Sequence, residues 1–401
     1  MFIPKKEINY SKQNINTSDL KEIKKVLFSD YLTQGPKVQQ FEKKINIYCK
    51  SKYSVACNSA TSALHIACKA IGLKKNDLVW TNPISFVASA NCALYCGAKV
   101  DYIDIDLERF NITFENFKKK IDKAKKTKLP KLLIIVDYGG FPCDLDKIYK
   151  LAKKNKINVI QDSSHAFGAK YKKTKVGSCA YSDITVFSFH PVKIITTGEG
   201  GIATTNNLDF FKKMQLYRTH GITKDPKLFK KKIKKSWYFE QKLLGFNYRM
   251  NDIEASLGIS QLKRIKLNLS SRKKIAKNYF KLLDKKVLTI KTEKHVESSF
   301  HLFPILVDKN KTNISRDELM DYLRKKKINC QLHYIPIFEH PFHKISSKKK
   351  YDLYPNTMKF YKNAMSLPMY FGLKQDEQKY VIKTINRKIT NGYRNNNSKK
   401  R

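Results

Sequence analysis

The chain has 401 residues, 41% of them hydrophobic, long enough for a substantial core and too apolar for a disordered polypeptide. Its formal charge of +46 would ordinarily point to nucleic acid, but the lysines lie in short runs on expected amphipathic helices, Phe117–Ile121 and Phe229–Lys235, without a nucleic-acid-binding motif. No apolar run of about twenty residues could span a bilayer, and Met1 to Glu7 lack the apolar centre of a signal peptide, so a cytoplasmic protein is expected, with neither nucleic acid nor membrane as a partner.

Ser18 to Leu27 reads as a capped amphipathic helix in an N-terminal arm, residues 1–30, and the turn Leu32-Thr33-Gln34-Gly35-Pro36 follows. Tyr53–Cys57 is a short strand, Asn58-Ser59-Ala60-Thr61 a turn of small and hydroxyl residues, and Ser62–Ile71 a helix. Free backbone amides at such a helix start make a ready anion site. Leu78–Pro83 is the next strand, with a helix beginning at Phe86. Val100–Asp106 and Leu132–Asp137 are further strands, separated by a lysine-rich helix. Ile157–Asp162 is an apolar strand ending in a carboxylate. Asp183–Phe189 and Gly200–Thr205 are two more strands, with Lys193 on the short loop between them. Alternation of strand and helix from about residue 50 to about residue 210 makes the expected class α/β, with a mostly parallel sheet.

Further on, Arg218-Thr219-His220-Gly221 and Gly245 through Asn251 flank a charged insert. Phe300–Val307 reads as a strand, Ser315-Arg316-Asp317-Glu318 as a capping box opening a helix to about Lys326, and Ile328–Tyr334 as a strand. These form a smaller α+β domain over 265–390, behind a large domain over 31–264. Residues 391–401 read as a polar, disordered tail. The eight cysteines, at 49, 57, 68, 92, 96, 143, 179 and 330, have no Cys-x-x-Cys spacing and no clustered histidines, so free thiols and no metal site are expected.

A lone lysine says nothing in so lysine-rich a chain; Lys193 gains meaning from its company. An amine attacks a carbonyl only when partly deprotonated, which an enclosed, desolvated site promotes. In an open parallel sheet the carboxyl ends of the strands face the ligand crevice, so Asp162 points to where Lys193 could meet it. A strand-end Asp and a loop Lys are the pair expected of a pyridoxal phosphate enzyme.

The runs Asn58 to Leu64, Pro83 to Ala88, Asp162 to Ala166, Lys193 to Gly201 and Asn247 to Met250 resemble, in this order, the signature segments of the DegT/DnrJ/EryC1/StrS family of nucleotide-sugar aminotransferases. The likeness extends from Leu32 to about Pro336 and is strongest to the family's pseudaminic acid branch. It implies the pyridoxal-phosphate-dependent aminotransferase fold type I, with pyridoxal 5'-phosphate as cofactor. It further implies a UDP-linked 4-keto-6-deoxy-N-acetylhexosamine and L-glutamate as substrates, and a homodimer sharing its active sites across the interface.

By position, the resemblance makes Lys193 the carrier of the cofactor aldehyde and the proton shuttle, and Asp162 the partner of the pyridinium nitrogen. It places His165 near the phenolic oxygen, Phe86 on the ring face, and Ser59, Ala60, Thr61 and Ser188 around the phosphate. Asn247 would cross to the neighbouring subunit's phosphate and Arg249 would meet the donor's carboxylate. Thr33, Gly35, Tyr138, His333 and Tyr334 would face the substrate. The family's sugar dehydratases carry histidine at the lysine position, so Lys193 favours transamination. Two alternatives stay open: another nucleotide sugar, of perosamine or 4-amino-arabinose type, and a basic nucleic-acid-binding protein with an inactive enzyme-like domain.

Overall fold

The computed structural model describes residues 4–124, 128–231, 233, 235–343 and 351–398, with 391–398 by backbone alone. Helix α1 (Thr17–Leu27) is capped by Asn16, whose side chain accepts the amides of Ser18 and Asp19 in a capping box, so it begins one residue before the expected Ser18 start. Helix α2 (Pro36–Cys49) leads into β1 (Tyr53–Cys57), α3 (Ala60–Ile71), β2 (Leu78–Thr81), α4 (Ala88–Leu94) and β3 (Lys99–Tyr102). Next come α5 (Phe114–Lys123), β4 (Leu132–Val136), α6 (Leu145–Lys154) and β5 (Asn158–Asp162). The short strands β6 (Lys170–Tyr171) and β7 (Thr174–Lys175) precede β8 (Ile184–Ser188) and β9 (Gly201–Thr205).

These strands form a seven-stranded sheet in the order β1-β9-β8-β5-β4-β2-β3. β3, β2, β4, β5 and β8 pair in parallel; β9 alone runs the other way, antiparallel to both β8 and β1. Both faces of the sheet are covered, as the period-two side-chain pattern requires. In β4, Leu132 and Ile134 join a core with α3 and α4, while Leu133 and Ile135 join Phe117 of α5 and Ile148 of α6 on the opposite face. Each fully buried side chain of this size contributes about 1.5–3 kcal/mol. Because β9 is reversed, its first residue Gly201 lies at the same edge as the last residues of the other strands. That edge carries Ser59, Asp162 and Ser188.

After α7 (Leu208–Arg218) the insert forms a two-residue ladder between β10 (Ile222–Thr223) and β11 (Glu240–Gln241). The helix expected over Phe229–Lys235 does not form; Phe229 to Lys231, Ile233 and Lys235 are irregular, and Lys232 and Lys234 lie outside the described residues. Lysine fills five of these seven positions, and like charges one turn apart oppose a helix. Glu240 supplies the alternative, accepting the backbone amides of Lys230 and Lys231 at 2.8 and 2.9 Å.

Helices α8 (Asp252–Lys263) and α9 (Ile265–Leu282) lead to a second layer. Its sheet is β12 (Leu288–Thr289), β14 (Phe303–Leu306) and β15 (Ala364–Leu367), packed with α9 and α11 (Arg316–Lys325) around Tyr279, Phe303 and Leu319. Between them β13 (Val296–Glu297) pairs with β6, and α10 (Lys309–Thr312) is a single turn. The expected strand over Ile328–Tyr334 is replaced by two isolated bridges, Ile8 to Ile328 and Gln331 to Ser366. The segment changes partner within three residues and so builds no ladder. The last helix spans Gln375–Ser398, which corrects the disordered tail expected from residue 391. Helix propagation adds one backbone hydrogen bond per residue, so polar sequence alone does not end it; 399–401 lie outside the described residues. Among the described residues no helix is long and apolar enough to cross a membrane. All eight cysteines are free.

One buried cation ties the second layer down. The Arg272 guanidinium donates to the carbonyls of Phe300, His301 and Met369 at 3.2, 3.1 and 2.9 Å, and its Nε donates to Asn268. Burial lowers its pKa to about 10. Arg272→Met fills similar space but orphans three carbonyls, so urea unfolding should show a loss of about 3–5 kcal/mol. A loss under about 1 kcal/mol would mean that these bonds are not structural.

Candidate active site

A cavity of about 570 Å³ opens at the carboxyl edge of the large sheet, and Lys193, Asp162, His165, Ser188 and Phe86 line it. Lys193 sits on the β8–β9 loop. That loop is folded on itself by Lys193 N–H to His190 O at 2.9 Å, Thr197 N–H to Phe189 O at 3.0 Å and Thr196 Oγ1 to Phe189 O at 2.9 Å. Removal from water lowers the Lys193 amine to about pKa 8, with the negative charge of Asp162 acting in the opposite direction. Near neutral pH a useful fraction of this amine is a free nucleophile, unlike an ordinary lysine.

Asp162 is 5% exposed, and its oxygens are held on both sides. Ser89 Oγ donates to Oδ2 at 2.6 Å, Ser164 Oγ donates to Oδ1 at 2.6 Å, and the Ser164 amide donates to Oδ1 at 3.1 Å. Ser85, 2.7 Å from Ser89 Oγ, extends the chain. A carboxylate fixed this way at a strand end is suited to hold a cationic ring N–H.

Three histidines surround the amine. His165, His301 and His333 are 5%, 3% and 8% exposed. Burial lowers the pKa of each, reinforced by the Lys193 charge at His165 and His333 and by His165 and then Lys193 at His301; His333 is held down at about 3. The rings of His165 and His301 lie 4.4 Å apart. The Tyr334 hydroxyl lies 3.0 Å from His165 Nε2, and Tyr10 of the N-terminal arm packs against His333 at 5.4 Å.

At the opposite end of the cavity Ser59 caps α3, accepting the Ser62 amide at 3.0 Å. The first-turn amides of Ala60 and Thr61 have no preceding turn to bond, and both residues line the cavity, where free amides at a helix start suit an anion. Gly201 lets the start of β9 pack directly against this turn. A Cβ there would lie 2.4 Å from Ala60 N and 2.5 Å from Ser59 C, both backbone atoms. Ser188 lines the same cavity.

The structure therefore gathers Lys193, Asp162, His165, Ser59, Ala60, Thr61, Phe86, Ser188, His333 and Tyr334 into one site. Phe86 is not the first residue of α4 but lies two residues before it, 59% exposed at the mouth. Four residues expected at this site lie elsewhere in the chain, as does Asn247, which is expected at the neighbouring subunit's site. Thr33 is exposed, and the Gly35 amide is spent on Asp252 at 2.9 Å. Asn247 and Arg249 lie in isolated bridges to Thr219 and Cys57. Tyr138 is 1% exposed, and its hydroxyl donates to the His333 carbonyl at 2.5 Å, so it braces the site from behind and does not line the cavity. Sequence reasoning missed Ser89, Ser164, His301 and Tyr10. Ser164 had a signal, a hydroxyl two residues after Asp162 in Asx-turn spacing. Tyr10 had none, because its neighbour His333 is remote in sequence. Away from the site, Asp144, Glu293 and His295 lie close enough together to share an ion, but Arg109 already pairs with Asp144 and Glu293.

Comparison with known proteins gives a consistent picture. The model of the DegT/DnrJ/EryC1/StrS aminotransferase family matches residues 13–386. A UDP-4-amino-4,6-dideoxy-N-acetyl-beta-L-altrosamine transaminase of Campylobacter jejuni is 39% identical over 96% of this chain and 99% of its own. Helicobacter pylori PseC, an aminotransferase involved in the biosynthesis of pseudoaminic acid, superimposes with TM-score 0.86 at 30% identity, over 96% of this chain and all of the other. Spr1654 from Streptococcus pneumoniae, solved in its PMP form, gives TM-score 0.86 at 27% identity, again over 96% of this chain and all of the other.

The low basicity of Lys193 is testable without any assigned substrate. Trapping of the lysine by an aldehyde and cyanoborohydride, followed at the Lys193 peptide by mass spectrometry, should rise with pH through a midpoint near 8; exposed lysines should rise near 10. Asp162→Asn removes the charge that raises this pKa, so its midpoint should fall further. A Lys193 midpoint equal to that of the exposed lysines would show that the amine is not desolvated.

Proposed function

The chain belongs to the DegT/DnrJ/EryC1/StrS family of pyridoxal-phosphate-dependent nucleotide-sugar aminotransferases; from that premise we propose that it moves an amino group from L-glutamate to a UDP-linked 4-keto-6-deoxy-N-acetylhexosamine in pseudaminic acid biosynthesis. The observation that carries the choice of substrate is 39% identity, over nearly the whole of both chains, to a transaminase named for that sugar. The reaction would take place in the cytoplasm, in a homodimer whose sites are shared.

The residues present suit the cofactor. Asp162, held by Ser89 and Ser164, would pair with the pyridine nitrogen; the Ala60 and Thr61 amides, with Ser59 and Ser188, would hold the phosphate; Phe86 would lie on the ring face. Bound there, pyridoxal phosphate supplies an electron sink and a carbon that carries the amine between substrates. Lys193 would hold the aldehyde at rest and, once displaced by the donor, take the α-proton as a base and return it as an acid. Its pKa of about 8 suits both directions, because a proton carrier works best with a pKa near the working pH. The first product would leave before the second substrate enters, with the amino group kept on the enzyme in between, which gives ping-pong kinetics. Asn247 would reach the second subunit's phosphate, and Arg249 would meet the donor's carboxylate. The basic surface would draw in the anionic nucleotide sugar.

In the visible spectrum of the loaded protein, L-glutamate should bleach the band of the lysine-bound cofactor and the 4-keto UDP-sugar should restore it. Lys193→Ala should show neither the band nor turnover, a rate loss of at least about a thousandfold. Restoration only by a perosamine-type or 4-amino-arabinose-type ketone would move the substrate. Absence of any band, together with salt-dependent DNA binding, would overturn the enzyme reading.

A further inference from the structure

A chain of buried side-chain hydrogen bonds runs beneath the ligand edge of the large sheet, on the face turned away from the cavity. Val136 and Asp162 are register partners in β4 and β5, and both line the cavity. The two-residue period of a strand turns Asp137, Gln161 and Ser163 to the other face, the side of Leu133, Ile135 and Val159. There Gln161 Nε2 donates to Asp137 Oδ2 at 2.7 Å, and Ser163 Oγ donates to the same oxygen at 2.7 Å. Thr185 Oγ1, on β8, donates to Gln161 Oε1 at 3.2 Å, and Ser182 Oγ lies 2.8 Å from Thr185 Oγ1. The Asp137 amide donates to the Asp162 carbonyl at 3.0 Å. Asp137 thus bonds the residue before Asp162, the residue after it and the carbonyl of Asp162 itself.

None of these five side chains is more than 3% exposed. Taking polar groups out of water into an apolar core costs free energy unless each donor finds an acceptor. Gln161, Ser163 and Thr185 all do, and the chain ends on Asp137. Burial raises the Asp137 carboxyl to about 7 against the pull of the Ser163 and Gln161 donors, so a neutral asparagine copies its protonated form. The network ties together the ends of β4, β5 and β8. Of these, β5 carries Asp162 and β8 leads into the Lys193 loop. Asp162 acts on the amine through its charge, an interaction that weakens with separation, so whatever fixes the strand end fixes that interaction.

We propose that Asp137 is a positioning residue of this site: by accepting from Gln161 and Ser163 it fixes the end of β5, and with it where the Asp162 carboxylate stands relative to the Lys193 amine. Ser89 and Ser164 hold that carboxylate directly; Asp137 holds the backbone beneath it. The consequence for a bound cofactor, whose ring nitrogen Asp162 would meet, rests on the aminotransferase reading. The consequence for the amine does not.

The pH dependence of aldehyde trapping at the Lys193 peptide reads the placement of Asp162, because loss of its charge lowers the midpoint from about 8. Asp137→Ala should shift this midpoint down, towards that of Asp162→Asn. Asp137→Asn keeps an oxygen for both donors and should stay at the wild-type midpoint. Ser163→Ala, which removes one of the two side-chain donors and leaves the carboxyl in place, should give a smaller downward shift. Leu319→Ala, which loosens the core of the second layer, should lose stability in urea without moving the midpoint. A folded Asp137→Ala that is destabilised in urea but keeps the wild-type midpoint would overturn the proposal. So would an equal shift in Asp137→Asn or in Leu319→Ala, and, if Asp137→Ala does not fold, an unmoved midpoint in Ser163→Ala. In the loaded protein, Asp137→Ala should lower affinity for pyridoxal phosphate about tenfold, while Asp137→Asn holds it. A wild-type protein that never develops a cofactor band would refute the aminotransferase reading instead, and the Lys193 midpoints would still decide the role of Asp137.

Discussion

The structure depends on holding one lysine amine out of water at the edge of a sheet that supplies a compensating charge. Desolvation makes Lys193 a usable nucleophile, and Asp162 keeps that desolvation from becoming prohibitive. The two come from adjacent strands, β5 and β8, whose parallel pairing brings their ends to the same edge. Reversal of β9 completes this edge, because its glycine start lies against the first turn of α3 without a side chain in the way. The large sheet is thus what places amine, carboxylate and anion-binding turn around one cavity.

The cavity has a second wall, which comes from elsewhere in the chain. His301 follows the two serines bonded to the Gly139–Gly140 turn and to His165, and Arg272 clamps its carbonyl. His333 and Tyr334 are held through Tyr138, and Tyr10 arrives on the N-terminal arm, which pairs with Ile328. The 137–140 turn therefore serves two functions: its Gly139 amide donates to Nδ1 of the buried His165 at 3.2 Å, and it anchors the wall that closes the site. Neutral histidines beside a lysine avoid the cost of several buried charges, which is why three can share so small a volume with it.

Much of the first wall was legible in the sequence. Strand endings mark the ligand edge of an α/β sheet, so Asp162, the Asn58–Thr61 turn and the loop of Lys193 could be placed by pattern before any coordinates, and the family resemblance added Ser188. The basic segment at 229–235 was misread, because a run that looks amphipathic by spacing forms no helix when nearly every position carries the same charge and a glutamate offers its amides another partner. Residues 328–334 were misread for a related reason: a strand-like composition does not say whether one neighbour will pair with it along its length.

The sequence by itself determined the class of fold, the lysine and its strand-end carboxylate, and the anion-binding turn, because each depends on local periodicity or on the direction of a strand. Only the tertiary structure decided that Tyr138 faces inward, that His301 and Tyr10 belong to the site, and that the Gly139 amide meets Nδ1 of His165. Those facts depend on contacts between segments far apart in the chain, and on hydrogen-bond direction. Neither leaves a periodic trace in the order of residues.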